Sequence, residues 1–75
     1  MEINELVKMI REKNQYTYDE FSKKTGVSSG FLSNVEKGRK KVSKKLYGNL
    51  VKLFPEYKKE LDKAYMEQVL PKIIK

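Results

Sequence analysis

The sequence has no cysteine and no histidine among its 75 residues. Without cysteine, neither a disulfide nor a thiolate metal site can reinforce the fold, so packing alone must hold it together. Without histidine as well, the ordinary zinc and general-base chemistries lose their usual residues. Long apolar runs are also missing, and nothing approaches the roughly 18 residues that cross a bilayer. The opening residues MEINELVK lack the basic-then-apolar layout of a secretory leader. A chain this short buries only about 60 to 65% of the surface that its unfolded form exposes. That implies one domain over residues 1–75, with no room for a second, catalytic one. The expectation is a soluble cytoplasmic protein with no cofactor, metal, membrane partner or small-molecule substrate. Carboxylates such as Asp19, Glu20 and Glu36 have simpler roles as caps and solvated charges, and no nucleophile has a base beside it, so an enzyme is not expected.

What the chain does have is positive charge, unevenly placed. The formal net charge is +7. Residues 37–45, KGRKKVSKK, hold six cations (Lys37, Arg39, Lys40, Lys41, Lys44 and Lys45) and no acid. The rest of the chain has eleven cations against ten acids. Basicity confined to one stretch suits a contact patch for a polyanion. A solvated loop that only keeps the protein soluble would have the same composition.

Apolar periodicity predicts five short helices. Ile3, Leu6, Val7 and Ile10 follow the i, i+3, i+4, i+7 spacing of one helix face over residues 3–13, with Glu5, Lys8, Arg11 and Glu12 turned mostly to water. Thr17 to Glu20 fits a capping box, and Tyr16 with Phe21 occupies hydrophobic-staple positions, so a second helix starts there. Gly26 supplies a left-handed turn, Val27 plugs it, and Ser28 caps a third helix that runs to about Lys37 with Leu32 and Val35 inward and Gly38 just beyond its end. Ser43 caps a fourth helix, stapled by Val42 and Tyr47, with Leu46, Leu50, Leu53 and Phe54 as its buried stripe. Pro55 stops that helix and opens a fifth, carrying Tyr57, Leu61, Ala64, Tyr65 and Val69 inward, until Pro71 ends or kinks it. The core is expected over residues 3–54, with a C-terminal helix and apolar tail over 55–75.

Two short helices joined by a tight turn with glycine are the geometry of a helix-turn-helix, in which the second helix enters a major groove. The segment Tyr16 to Lys40 supplies its parts in order, and here the sequence resembles a known family, the Xre or lambda-repressor-like class. These are the Cro and CI type regulators of phages and mobile elements. The resemblance rests on Phe21 and Ser22 in the second helix and Gly26-Val27-Ser28 at the turn. Leu32 and Val35 match the inward pair of the third helix, and Glu36-Lys37-Gly38-Arg39 is similar to the family's Glu-x-Gly-Lys/Arg ending. It covers roughly residues 3 to 54. Tyr18 departs from the family's frequent glutamine, Thr25 stands where an apolar residue packs, and Gly30 replaces a side chain that often meets a base.

The resemblance implies an all-α, compact five-helix lambda-repressor-like fold and a sequence-specific regulator of double-stranded DNA, a repressor. It maps base contacts to Ser29, Gly30, Ser33 and Asn34, with Phe31 either against a thymine methyl or on the core edge. Asn and Ser suit base edges. Phosphate contacts map to Tyr18, to Ser28 at the amide-presenting start of the third helix, and to Lys37, Arg39, Lys40, Lys41, Lys44 and Lys45. One module meets few base pairs, so a homodimer on spaced half-sites is expected. Leu70, Ile73 and Ile74 either form the dimer surface or fold back over the first helix to close the core. The competing reading is a protein-binding modulator, an antirepressor or antitoxin that docks on another regulator. RNA binding is not expected, because the aromatics sit mostly at helix-core spacing and not on a stacking platform, and membrane binding by the fifth helix would leave the helix-turn-helix unexplained.

Overall fold

Three of the helices start on a hydroxyl. The first amides of a helix have no carbonyl partner within it, so a side-chain oxygen just before the start stabilises it. Thr17 accepts the Glu20 amide, Ser28 the Phe31 amide and Ser43 the Leu46 amide, each at 3.1 Å. At Thr17 the capping box closes, with the Glu20 carboxylate accepting the Thr17 amide at 2.9 Å. The structure is a computed structural model and describes residues 1–69. It contains α1 (Ile3–Lys13), α2 (Tyr18–Thr25), α3 (Ser29–Glu36), α4 (Lys44–Leu53), a 3-10 turn (Pro55–Tyr57) and α5 (Lys58–Val69). All helices and no strands among the described residues, it has the architecture expected.

The helix ends are as specific as the starts. Gly26 takes φ +76° after α2 and Gly38 takes φ +78° after α3. After α3 the Gly38 amide donates to the Val35 carbonyl at 3.0 Å and the Arg39 amide to the Asn34 carbonyl at 2.8 Å, the paired bonds of a Schellman ending. The same pair closes α1, where the Gln15 amide donates to Glu12 and the Tyr16 amide to Arg11, both at 3.0 Å. There the left-handed position, φ +59°, is filled by Gln15 rather than glycine.

The core is a single cluster. α1 packs on α3 and α5, α2 on α3 and α4, and α4 on α5. Ile3, Leu6, Val7 and Ile10 meet Phe21, Leu32, Val35, Val42, Leu46, Leu50, Phe54, Leu61 and Ala64. The rings of Tyr16, Phe21 and Phe54 form a trio with centroids 5.8 to 6.3 Å apart, so the staple at the start of α2 also joins the end of α4. Tyr47 stacks on Tyr65 at 4.1 Å and donates to Asp62, which also pairs with Lys58 at 2.6 Å. The Lys58 and Tyr47 hydrogen bonds hold the Asp62 carboxyl below its ordinary pKa.

Four expectations need correction. Leu53 is 41% exposed, because it closes α4 while Phe54, leaving helical geometry before Pro55 at φ −130°, carries its ring into the core. Val69 is 56% exposed, because Gln68 occupies the central inward position on the last turn of α5. Pro55 opens a 3-10 turn, and α5 proper begins only at Lys58. Neither Arg11 nor Glu36 is a solvated charge: their side chains, 14% and 2% exposed, pair with each other. Thr25, by contrast, packs fully although it is polar, because its hydroxyl donates to the Phe21 carbonyl at 2.7 Å. The expected end at Pro71 and the tail residues Leu70, Ile73 and Ile74 lie outside the described residues.

Gln15→Gly is expected to stabilise the fold by about 0.5 to 1 kcal/mol. Relief of the left-handed penalty on a side-chain-bearing residue exceeds the greater unfolded-state freedom of glycine. Thermal denaturation should show a midpoint higher by a few degrees, and a lower one would contradict this account of the α1 ending.

Candidate nucleic-acid interface

α3 is only two turns long, and its two faces differ sharply. Leu32 and Val35 are fully buried. At about 100° per residue, Gly30, Ser33, Asn34 and Lys37 fall on the side away from that pair. Gly30 and Lys37 are exposed, and Ser29, Ser33 and Asn34 are half-buried. Phe31 is half-buried with its ring against the core, which favours the core-edge placement over a free outward ring. The Asn34 side chain makes no hydrogen bond within the described residues, whereas its carbonyl accepts from Arg39 and Lys40. A Cβ added at Gly30 would meet nothing within 4 Å, so packing within the protein does not require glycine there.

What fixes the direction of that face is an ion pair at the other end of α3. Arg11 donates through Nε to Glu36 Oε2 at 2.7 Å and through a terminal nitrogen to Oε1 at 3.1 Å. Its remaining nitrogen donates to the Tyr16 carbonyl at 3.0 Å. The guanidinium lies 4.3 Å from the centre of the Tyr18 ring. Only 2% of the Glu36 side chain is exposed. The hydrogen bond to Glu36 raises the Arg11 pKa despite burial, so the guanidinium stays charged.

Tyr18 is where the structure departs from the expected phosphate contact. Its hydroxyl donates to Glu36 Oε1 at 3.0 Å. Burial first, then the Glu36 hydrogen bond and charge, push its pKa above the ordinary tyrosine value, against the Arg11 charge and the Ser33 hydroxyl, which lower it. The single phenolic proton is therefore committed inside the protein, because the start of α2 faces the end of α3.

The turn between α2 and α3 is held from both sides. Ser22 donates to the Val27 carbonyl at 2.5 Å, and Asn49 on α4 donates to the Thr25 carbonyl at 2.6 Å. A Cβ on Gly26 would come within 3.5 Å of the Lys45 side chain and 3.6 Å of the Asn49 amide, so the first turns of α4 lie directly against this turn.

The basic segment leaves α3 at Gly38 and enters α4 at Ser43. Lys37, Arg39, Lys40, Lys41, Lys44 and Lys45 are all exposed. The ion pairs among the described residues involve only Arg11 and Lys58 as cations, so these six have no carboxylate partner there. Lys44 and Lys45 also sit in the first turn of α4, which carries no acid. Cations at a helix start oppose its positive end, and an external anion would relieve that repulsion. Ser28, the last of the expected phosphate contacts, is exposed and caps α3.

Two amide side chains missed by pattern reading hold this segment. Asn4 donates to the carbonyls of Val35 at 2.8 Å and Lys40 at 3.0 Å. Gln68 accepts the Val42 amide at 2.8 Å and donates to the Val42 carbonyl at 3.0 Å. Both act across more than 25 residues of sequence, and only their positions on inward-facing stripes hint at them.

Among known proteins, a family model described as helix-turn-helix matches residues 7–61. No curated protein and no solved structure matches the chain significantly. No helix among the described residues is long and apolar enough to cross a membrane.

Two substitutions probe the geometry with opposite signs. Glu36→Gln, which leaves the half-buried Arg11 without its carboxylate, is expected to cost about 3 kcal/mol or more in a urea titration. Gly30→Ala is expected to gain about 1 kcal/mol, since it removes a helix-weakening glycine into open space. A neutral Glu36→Gln or a destabilised Gly30→Ala would show that α3 is held differently.

Proposed function

This chain belongs to the helix-turn-helix family of the Xre, lambda-repressor-like kind, a family of DNA-binding regulators, and on that footing we propose that it is a sequence-specific repressor of the Cro/CI type. Its α3 enters a major groove and offers Ser29, Gly30, Ser33 and Asn34 to base edges, Asn34 being suited to adenine. The observation that carries this reading is the outward face of α3 lying beside six exposed cations that have no carboxylate partner among the described residues. Lys37, Arg39, Lys40 and Lys41 follow the sugar-phosphate backbone on one side. Lys44, Lys45 and the Ser28-capped start of α3 meet phosphates on the other. Such contacts give affinity and register, and α3 gives the choice of sequence. Tyr18 contributes by holding Glu36.

The protein acts in the cytoplasm as a homodimer on half-sites about 34 Å apart, one turn of the duplex. Support for pairing through α5 comes from Met66 and Val69, each more than half exposed on that helix. The Cro/CI type, as carried by phages and mobile elements, is supported by the Glu36-Lys37-Gly38-Arg39 ending of α3.

Neutralising about six phosphates per subunit gives a log-log salt slope of about −5. Asn34→Ala is expected to flatten discrimination between a selected duplex and a scrambled one, while Lys40→Ala with Lys41→Ala weakens both alike. Fluorescence anisotropy over a range of salt concentrations measures all three quantities. A slope near zero would remove the phosphate contacts from the reading, and an equal loss on both duplexes for Asn34→Ala would remove its base-reading role.

A further inference from the structure

The segment that carries Arg39, Lys40 and Lys41 meets the core only through the neighbouring Val42 and across a groove. Behind it lies a groove of about 830 Å³ whose lining includes Ile3, Asn4, Lys40, Lys41, Ala64 and Gln68. Glu2 and Glu67 also line this groove, but neither forms an ion pair with Arg39, Lys40 or Lys41. Side-chain packing anchors this stretch only at its Val42 end, since Gly38, Arg39, Lys40 and Lys41 are all exposed.

Hydrogen bonds supply the missing constraint. At the α3 end the segment is tied by the Schellman bonds and by Asn4, which bridges the Val35 and Lys40 carbonyls. At the α4 end the Gln68 amide pairs with both backbone groups of Val42, as a neighbouring β-strand would. Lys41 is thus held between a fastened carbonyl on one side and a doubly fastened residue on the other. Gln68 stands on the buried stripe of α5, two turns beyond Leu61 and one beyond Ala64, where an apolar residue would serve packing better. Its amide satisfies a backbone donor and an acceptor at once, which a hydrocarbon side chain cannot do.

We propose that Gln68 is a positioning residue for DNA binding: by pairing with Val42 it fixes the basic segment, so that Lys40 and Lys41 meet adjacent phosphates together. Gln68 acts through those lysines and touches no DNA itself. Its role rests on the reading of this chain as a DNA-binding regulator. It also ties α5 to the strength of DNA binding but not to the choice of sequence, since α3 is fastened separately through Glu36.

The test uses the full chain, a selected duplex, a scrambled duplex and the near-isosteric variant Gln68→Met, at a temperature where circular dichroism shows the variant folded. The expected result is affinity about tenfold lower on both duplexes, an unchanged ratio between them, and a salt slope shallower by about 1 to 2, the share of two phosphates. In a Lys40→Ala/Lys41→Ala background, Gln68→Met should change neither slope nor affinity further, because the lysines through which it acts are gone. A wild-type slope in the folded variant, or the same loss in both backgrounds, overturns the proposal. A wild-type chain that binds neither duplex overturns the DNA reading, and the role of Gln68 falls with it, a result distinct from the other two. Should Gln68→Met not fold, amide exchange in the unaltered chain decides. The Val42 amide should be protected in the free protein and more so with DNA, and exchange at open-peptide rates overturns the proposal.

Discussion

The carboxylate of Glu36 sits where α1, α2 and α3 meet, and its burial dictates much of the rest. An ionised group shielded from water is costly unless it is paired and hydrogen-bonded. Arg11 satisfies both its oxygens in a forked contact and Tyr18 adds a third bond. A forked guanidinium contact is directional, so it resists the small slides and rotations that an apolar contact between the same helices would tolerate. The end of α3 is therefore held in angle as well as in distance. Leu32 and Val35 determine which side of α3 is inward, and Glu36 determines where its far end rests.

Such fastening matters because the elements are short. α2 and α3 have eight residues each, below the length at which a helix persists in water by itself. Each relies on a hydroxyl at its start, a glycine beyond its end and tertiary bonds from neighbours. Asn49 holds the turn that joins them, and the ring trio of Tyr16, Phe21 and Phe54 ties the start of α2 to the end of α4. Positive charge with no acid among it is concentrated in the segment after α3 and the start of α4, outside the cluster that bears the structural burden. Fold and binding surface thus draw on different residues.

This division also explains how far the chain could be read from its letters. Caps at Thr17, Ser28 and Ser43, the staple of Tyr16 and Phe21, and the turns at Gly26 and Gly38 were all legible, because each depends on residues within five positions of one another. For the candidate site, what was legible is the exposure of Gly30 and of the cations from Lys37 to Lys45. What escaped were bonds across long stretches of chain. Arg11 reaches Glu36 over 25 residues, Asn4 reaches Lys40 over 36 and Gln68 reaches Val42 over 26. In a periodicity pattern each of these is simply a polar residue, and nothing local distinguishes a solvated arginine from a buried one. The bond from Tyr18 to Glu36, over 18 residues, is invisible for the same reason. Leu53 and Val69 erred the other way, since an apolar residue on the right face still needs a neighbour to cover it, and the neighbouring positions were filled by Phe54 and Gln68.

The outward side of α3 makes few demands on the body of the protein. Gly30 stands in open space, and the Asn34 side chain has no hydrogen bond within the described residues. Residues there can drift without a toll on folding; under the proposed base-reading role of α3, descendants of this chain would acquire new target preferences through one or two exchanges while the frame beneath stays as it is. For an engineer the same property makes α3 a replaceable cassette: its outer positions can be randomised in a library while Leu32, Val35 and Glu36 are kept constant as the mounting.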